Sequence, residues 1–212
     1  AGIALDGYAD RIVLVDEKGK VVDGDQILGA LANAWLKTDE LNGGGIVTTV
    51  MSNLGLEIYL NSKGLKLCRT HVGDRYVLEY MRQHGYNLGG EQSGHIILSD
   101  YASTGDGIIA ALQILSIALT EGKSISEVTC LFEPVPQLLR NIKVKDANKF
   151  DDTILRSISE TAETQIGKMG RVLIRKSGTE QVLRVMVESE DEVLMLKLID
   201  DINSKLLECE AK

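Results

Sequence analysis

Apolar positions fall into short strand-like runs and longer helically spaced segments, separated by breaks rich in Gly, Asn and Asp. Ile3 to Leu5 and Ile12 to Val15 predict strands flanking the loop Asp6-Gly7-Tyr8-Ala9-Asp10-Arg11. The first of these has the apolar look of a buried strand. Val21-Val22 closes a hairpin after the turn Glu17-Lys18-Gly19-Lys20. Asp23 or Asp25 can cap a helix reaching about Lys37, with Ile27, Leu28, Leu31, Ala34 and Trp35 on one side.

Leu41-Asn42-Gly43-Gly44-Gly45 is a strong break, and strand and helix alternate after it. Strands are expected at Ile46 to Val50, Leu65 to Arg69 and His95 to Leu98, with helices at Leu54 to Asn61, Asp74 to His84, Gly105 to Thr120 and Ser126 to Leu131. Asn87 to Gly90 leads into a polar loop. This order implies βαβ units on a mixed, mainly parallel sheet. Beyond Pro134 and Pro136 the order becomes strand (Leu138 to Val144), helix (Asp151 to Gln165), two strands around a polar loop, and helix (Glu190 to Glu208). Val193, Leu194, Leu196, Leu198, Ile199, Ile202 and Leu206 are available to pack on that last helix. The fold class expected is α/β followed by a small α+β (β-α-β-β-α) domain whose sheet is covered on one face. The divisions fall at 1–40, 41–133 and 134–212.

A net charge of -8 over 212 residues argues against nucleic acid or an anionic membrane as the main partner. The longest apolar stretch, Gly107 to Leu119, is shorter than the ~20 residues a bilayer-crossing helix needs. No signal peptide is evident, and the first strand starts abruptly, as in a piece of a larger protein. Cys68, Cys130 and Cys209 have no metal-ligand spacing, which suggests reduced, mostly buried thiols in the cytoplasm.

Three loops carry candidate chemistry. Arg175-Lys176-Ser177-Gly178-Thr179-Glu180, with Arg184 beyond it, lies between the apolar runs 172–174 and 182–187. Two forked guanidiniums, two hydroxyls and a glycine that admits backbone amides favour an anion site, such as one for phosphate, over a solvated turn. Gly89-Gly90-Glu91-Gln92-Ser93-Gly94-His95 offers a carboxylate, a hydroxyl and an imidazole. It reads equally as a grip on vicinal sugar hydroxyls or as a turn with a satisfied histidine. Asp6 and Asp10 can converge on a hard cation such as Mg²⁺ or simply close an Asx-type turn.

Taken in order, Asp6-Gly-Tyr-Ala-Asp-Arg11, Gly90-Glu-Gln-Ser-Gly-His95 and Arg175-Lys-Ser-Gly-Thr-Glu180 resemble the metal, sugar and phosphate loops of the α-D-phosphohexomutase superfamily. Val72-Gly-Asp-Arg-Tyr-Val77, Ser103-Thr-Gly-Asp-Gly107, Arg184-Val-Met-Val-Glu188 and Gln92 resemble its bacterial phosphoglucosamine mutase branch. The resemblance implies an isomerase that interconverts glucosamine 6-phosphate and glucosamine 1-phosphate for cell-wall precursors. The reaction would run through a bisphosphorylated sugar in a cleft between four domains. It makes this chain a C-terminal fragment, inactive alone, within an enzyme that forms a homodimer. Phosphomannomutase or phosphoglucomutase activity is the nearest alternative, and a non-catalytic phosphosugar-binding protein is an alternative of another class.

By the same resemblance Asp6 and Asp10 are Mg²⁺ ligands, and Arg11 neutralises the transferring phosphoryl group. Glu91 and Ser93 read ring hydroxyls, and Arg175, Ser177, Gly178, Thr179 and Arg184 hold the non-reacting phosphate. His95 and Arg75 line the cleft. Tyr8 stands where the family has a third aspartate, which implies a weakened or absent metal. Gln181 replaces a proline after the phosphate loop and would loosen it. No Ser-His-Asn phosphoserine signature occurs in the chain.

Overall fold

A computed structural model describes residues 1–167, 170–177 and 180–211 of the chain, which divides into two compact units, Ala1–Pro134 and Val135–Lys212. In the first unit β1 (Gly2–Leu5), β2 (Ile12–Val15) and β3 (Val21–Val22) form an antiparallel meander. A second sheet has the order β5-β4-β6-β7, from β4 (Gly45–Thr49), β5 (Lys66–Thr70), β6 (Leu88–Gly90) and β7 (Ile96–Leu98). β4 pairs in parallel with β5 and β6, and β6 pairs antiparallel with β7, so the sheet is mixed as expected.

The helix α1 (Gly24–Thr38) starts where Asp23 accepts from the Gln26 amide, and it ends at Asp39 in a left-handed conformation. Beyond the expected apolar side, Gly24 through Ala32 are all buried. Contacts with β6, α2 (Leu54–Ser62), α4 (Gly107–Glu121) and α5 (Ile125–Thr129) surround it. The remaining helix of this unit, α3 (Asp74–His84), lies between Gly73 and Gly85. The core of the first unit runs from Ile12 and Leu14 through Leu28, Leu31, Ile46 and Leu56 to Ile114 and Val128. Two expectations fail here. β1 is exposed at all four positions, because apolar character alone does not supply a covering neighbour. Leu88–Gly90 is a strand and not only the entry to a loop.

The second unit is a three-stranded antiparallel sheet of order β8-β10-β9, from β8 (Gln137–Lys143), β9 (Arg171–Lys176) and β10 (Val182–Glu188). The helices α6 (Asp152–Ile166) and α7 (Glu192–Ala211) pack against it. Val172, Ile174, Leu183, Val185 and Val187 join Leu155, Ile158, Leu198 and Ile202 in one core. Period-2 alternation sends Arg175, Arg184, Met186 and Glu188 to the other face. On α7, Val193 and Leu196 are exposed, and Met195 takes a core place that the apolar count did not give it.

All three cysteines are free, but Cys130 and Cys209 are exposed, against the expectation of mostly buried thiols. Among the described residues no helix is long and apolar enough to cross a membrane.

Candidate functional site

In the first unit the loops carrying Asp6–Arg11 and Glu91–His95 are joined through the backbone. Arg11 bridges His95, the Ile12 amide donates to the Gly94 carbonyl at 3.0 Å, and the Gly107 amide donates to Ala9 at 2.9 Å. The Ala9 amide donates to the Asp6 carbonyl, which closes the turn, and Ala9 takes a φ of 57°. Asp6 accepts from the Arg11 amide at 3.4 Å, and the Arg11 side chain is exposed, with no ion pair recorded for it among the described residues.

Asp10 Oδ2 lies 3.1 Å from His95 Nδ1, while its Oδ1 is buried and has no hydrogen-bond partner among the described residues. An orphaned carboxylate oxygen beside a second aspartate is a donor set that fits a hard cation. Tyr8, in contrast, is 93% exposed and offers a phenol where a carboxylate would serve a hard cation better. No group of three or more His, Cys, Asp or Glu side chains among the described residues is placed to hold a metal.

Glu91 is held at both carboxylate oxygens. Oε1 accepts from the Gly73 amide at 3.1 Å and Oε2 from the Ser93 hydroxyl at 3.2 Å. Each oxygen keeps a further acceptor site for a ligand hydroxyl. Glu91, Gln92 and Ser93 line a cavity of about 250 Å³ with Thr49, Met51 and Val72. A cavity of about 310 Å³, bordered by Lys18, Lys20, Gln26 and Cys130, is larger. It is lined by Asp16, Asp23 and Ser126 as well, but lies apart from the loop that carries Glu91 and Ser93.

Sequence reading misses Gly73, which acts through its amide and not a side chain. It also misses Gly24. A Cβ there would lie 2.1 Å from the Glu91 carbonyl oxygen, and the Gly24 amide donates to Gln92 at 2.9 Å. Helix α1 therefore butts against the sugar loop at a point where only glycine fits. His95 is 2% exposed and faces the interior. Arg75 is engaged with Glu79 one turn along α3.

In the second unit Arg175 and Arg184 are directly opposite on β9 and β10. Burial holds the Arg175 guanidinium below its ordinary pKa, and the charge of Arg184 adds to that. Arg184 Nε is buried without a hydrogen-bond partner, and neither arginine is in an ion pair among the described residues. Two facing guanidiniums without a counter-ion form a receptor for an anion. The Ser177 amide donates to Val182, and the Ser177 hydroxyl accepts from the Glu180 amide at 3.3 Å, which closes the hairpin. Gly178 and Thr179 lie outside the described residues. Gln181, just after the loop, has its side-chain oxygen accept from the Ala147 amide at 2.8 Å.

Family models for phosphoglucomutase/phosphomannomutase match twice, the α/β/α domain III over residues 23–135 and the C-terminal domain over residues 139–205. Phosphoglucosamine mutases of Brucella anthropi and Parvibaculum lavamentivorans are each 55% identical over 201 residues, 95% of this chain. The chain spans 45% of the length of these relatives. Among solved structures, Aspergillus fumigatus N-acetylphosphoglucosamine mutase in complex with GlcNAc-6P and magnesium superposes with a TM-score of 0.78 at 21% identity, over 96% of this chain and 51% of that one. A phosphoglucomutase/phosphomannomutase family protein from Burkholderia thailandensis gives 0.79 at 23%, over 98% and 46%. These superpositions establish the fold, and the sequence matches establish descent. The chain belongs to the phosphoglucomutase/phosphomannomutase family of α-D-phosphohexomutases and carries its domain III and C-terminal domain.

Proposed function

We propose that this chain supplies the sugar-recognition and idle-phosphate parts of a phosphoglucosamine mutase, which interconverts glucosamine 6-phosphate and glucosamine 1-phosphate in the cytoplasm. The observation that carries this reading is the opposed pair Arg175 and Arg184, which has no counter-ion among the described residues. It gives the phosphate that does not react a bidentate seat. Identity of 55% to proteins named phosphoglucosamine mutase supports the choice of substrate.

Under this reading the phosphoryl group passes from an enzyme phosphoserine to the free sugar oxygen, giving a bisphosphate. The sugar then turns over, and its other phosphoryl group returns to the serine, so each transfer is balanced by its reverse. Since no Ser-His-Asn segment is present, that serine is assigned to another part of the enzyme. Glu91 and Ser93 accept from and donate to ring hydroxyls in both orientations, which fixes the ring while its ends exchange. Ser177, Gly178 and Thr179 complete the phosphate seat. Asp6 and Asp10 would hold Mg²⁺, which when bound offsets negative charge at the transferring phosphoryl group. Arg11, exposed beside them, contributes positive charge at the same place. With Tyr8 in place of a third carboxylate, metal affinity is reduced.

The test is calorimetric binding of glucosamine 6-phosphate to this chain together with a mutase assay containing glucose 1,6-bisphosphate. Weak binding without turnover is expected. Turnover by the 212-residue chain alone would overturn the division of labour, and equal binding of mannose 6-phosphate would overturn the substrate choice.

A further inference from the structure

We propose that Asp25 is a positioning residue for the sugar cavity, holding the turn that carries Thr49 and Met51 while its neighbour Gly24 holds the loop that carries Glu91. This rests on the reading that the Glu91 cavity receives the sugar ring.

Of the two acids at the start of α1, Asp23 takes the capping role, accepting from the Gln26 amide at 2.9 Å. Asp25 is 1% exposed and reaches beyond its own helix. Its Oδ2 accepts from the amide of Asn53, 28 residues away, at 2.8 Å. Asn53 in turn caps α2, its Oδ1 accepting from the Gly55 amide at 2.8 Å. The Asp25 carboxylate thus sits beside the N-terminus of α2, where the helix dipole favours negative charge. That offsets part of the cost of burying it, and an amide bonds more strongly to a charged acceptor than to a neutral one. A buried acid is nonetheless a costly way to support a helix that Asn53 already caps. What the bond adds is a fixed place for Asn53 relative to α1.

The consequence falls on the cavity. Asn53 ends the turn that starts at Thr49, within which the Met51 amide donates to the Thr49 hydroxyl at 3.3 Å and the Ser52 amide to the Thr49 carbonyl at 3.2 Å. Thr49 and Met51 line the cavity of about 250 Å³ together with Glu91, Gln92 and Ser93. Gly24 donates to the Gln92 carbonyl at 2.9 Å. Consecutive residues of one helix therefore hold both sides, Gly24 the sugar loop and Asp25 the turn after β4. Neither loop sets the spacing between Glu91 and Met51 alone, because α1 fixes each against the other. A ring gripped by Glu91 and Ser93 then meets a wall already in place, and its binding bears less of the cost of ordering that wall.

The experiment measures binding of glucosamine 6-phosphate and, separately, of inorganic phosphate to this chain and to three variants by calorimetry. Asp25→Asn keeps an acceptor for the Asn53 amide, Asp25→Ala leaves that buried amide unpaired, and Glu91→Gln alters the ring grip itself. The expected result is sugar-phosphate affinity at least about tenfold weaker in Asp25→Ala, within about threefold of the unmodified chain in Asp25→Asn, and phosphate affinity unchanged in both. The retained affinity of Asp25→Asn separates the hydrogen bond from the charge. Unchanged sugar-phosphate affinity in Asp25→Ala overturns the proposal, and so do equal losses in the two Asp25 variants or a matching loss of phosphate affinity. Affinity unchanged in Glu91→Gln refutes the cavity as the sugar site, whereas affinity lost in Glu91→Gln but kept in Asp25→Ala refutes only the role of Asp25. If Asp25→Ala does not fold, hydrogen exchange in the unmodified chain decides the point. Glucosamine 6-phosphate should slow exchange at the Met51 and Asn53 amides and inorganic phosphate should not, and absence of that selective slowing overturns the proposal.

Discussion

Arg175 and Arg184 face each other across the antiparallel pair β9 and β10, on the sheet face opposite the one packed by Val172, Ile174, Leu183 and Val185. Like charges in this position are mutually repulsive, and neighbouring strands keep them close whether or not an anion is present. The fold therefore keeps an unfavourable contact in its empty state that a bound phosphate converts to a favourable one. Stability has been given up in exchange for a preorganised seat.

Substitution of either arginine should move stability and affinity in opposite directions. Arg184→Leu removes the repulsion and the orphaned Nε, so the ligand-free melting temperature should rise by about 1–3 °C. Sugar-phosphate affinity should fall by roughly 1.5–3 kcal/mol, the usual worth of hydrogen bonds to charged groups. Scanning calorimetry with and without glucosamine 6-phosphate reads both quantities. A variant that melts lower and still binds normally would show that the arginines serve the fold alone.

Lys176 is the internal control. It pairs with Leu183, a core-facing position, so alternation sends its side chain away from Arg175. Arg175→Ala should weaken binding at least about tenfold more than Lys176→Ala, because only Arg175 offers the fork. Equal losses in a calorimetric titration would mean that the hairpin is a diffuse positive patch.

Glu91→Gln tests the other site. The amide keeps an oxygen and the shape of the side chain, but it loses the charge and places a donor against Gly73 or Ser93. Affinity for glucosamine 6-phosphate should drop about tenfold, consistent with loss of charge-assisted acceptors. Binding of inorganic phosphate, which needs only the arginine pair, should be unaltered. A fall in both affinities would remove the distinction between ring recognition and phosphate recognition.

The elements were legible where local chemistry decides them. Helix α3 matches its expected span because Gly73 and Gly85 bracket it, and β10 follows from a run that is apolar from Val182 to Val187 apart from Arg184. Legibility ends where distant partners decide. Burial of α1 from Gly24 through Ala32 depends on α2, α4, α5 and β6, none of which its own periodicity reveals. Leu88–Gly90 does not look like a strand, since glycine is a poor strand former, yet a Cβ at Gly89 would clash with Met81 and with the Val47 carbonyl. At the sites, residue types announced the anion seat and the carboxylate grip. The contact between Asp10 and His95 joins residues 85 apart in sequence, and the clamp of Gly24 on Glu91 is made by an atom that is missing.

Gly24 gives a prediction with an inverted sign. Gly to Ala within a helix ordinarily stabilises by about 0.5–1 kcal/mol. Here Gly24→Ala should destabilise the chain by roughly 1–3 kcal/mol in urea unfolding, because the new methyl meets the Glu91 and Gln92 carbonyls at 2.1 and 2.9 Å. Glucosamine 6-phosphate affinity should fall with it, as the loop is displaced. A more stable protein with normal affinity would show that α1 and the sugar loop are not in mutual register.

Acid should loosen the meander before it reaches the rest of the unit. The Ser126 hydroxyl and amide donate to Glu17, and the hydroxyl first, then Glu17's own amide and the Ser126 amide, lower the Glu17 pKa from 4.5 to about 2. The folded state thus holds this proton less tightly than the unfolded chain does. The contribution of the contact is complete above pH 4.5 and is lost as pH falls from there toward 2. Glu17 lies in the turn between β2 and β3, and Ser126 lies in α5, so the bonds tie that turn to the body of the unit. Ser126→Ala should therefore lower stability at pH 7 slightly and flatten the loss between pH 4.5 and 2, as followed by urea midpoints at each pH. The two proteins should converge at the acid end, where protonated Glu17 no longer favours the contact. A constant difference between them across that range would mean that Ser126 acts through packing and not through the Glu17 carboxylate.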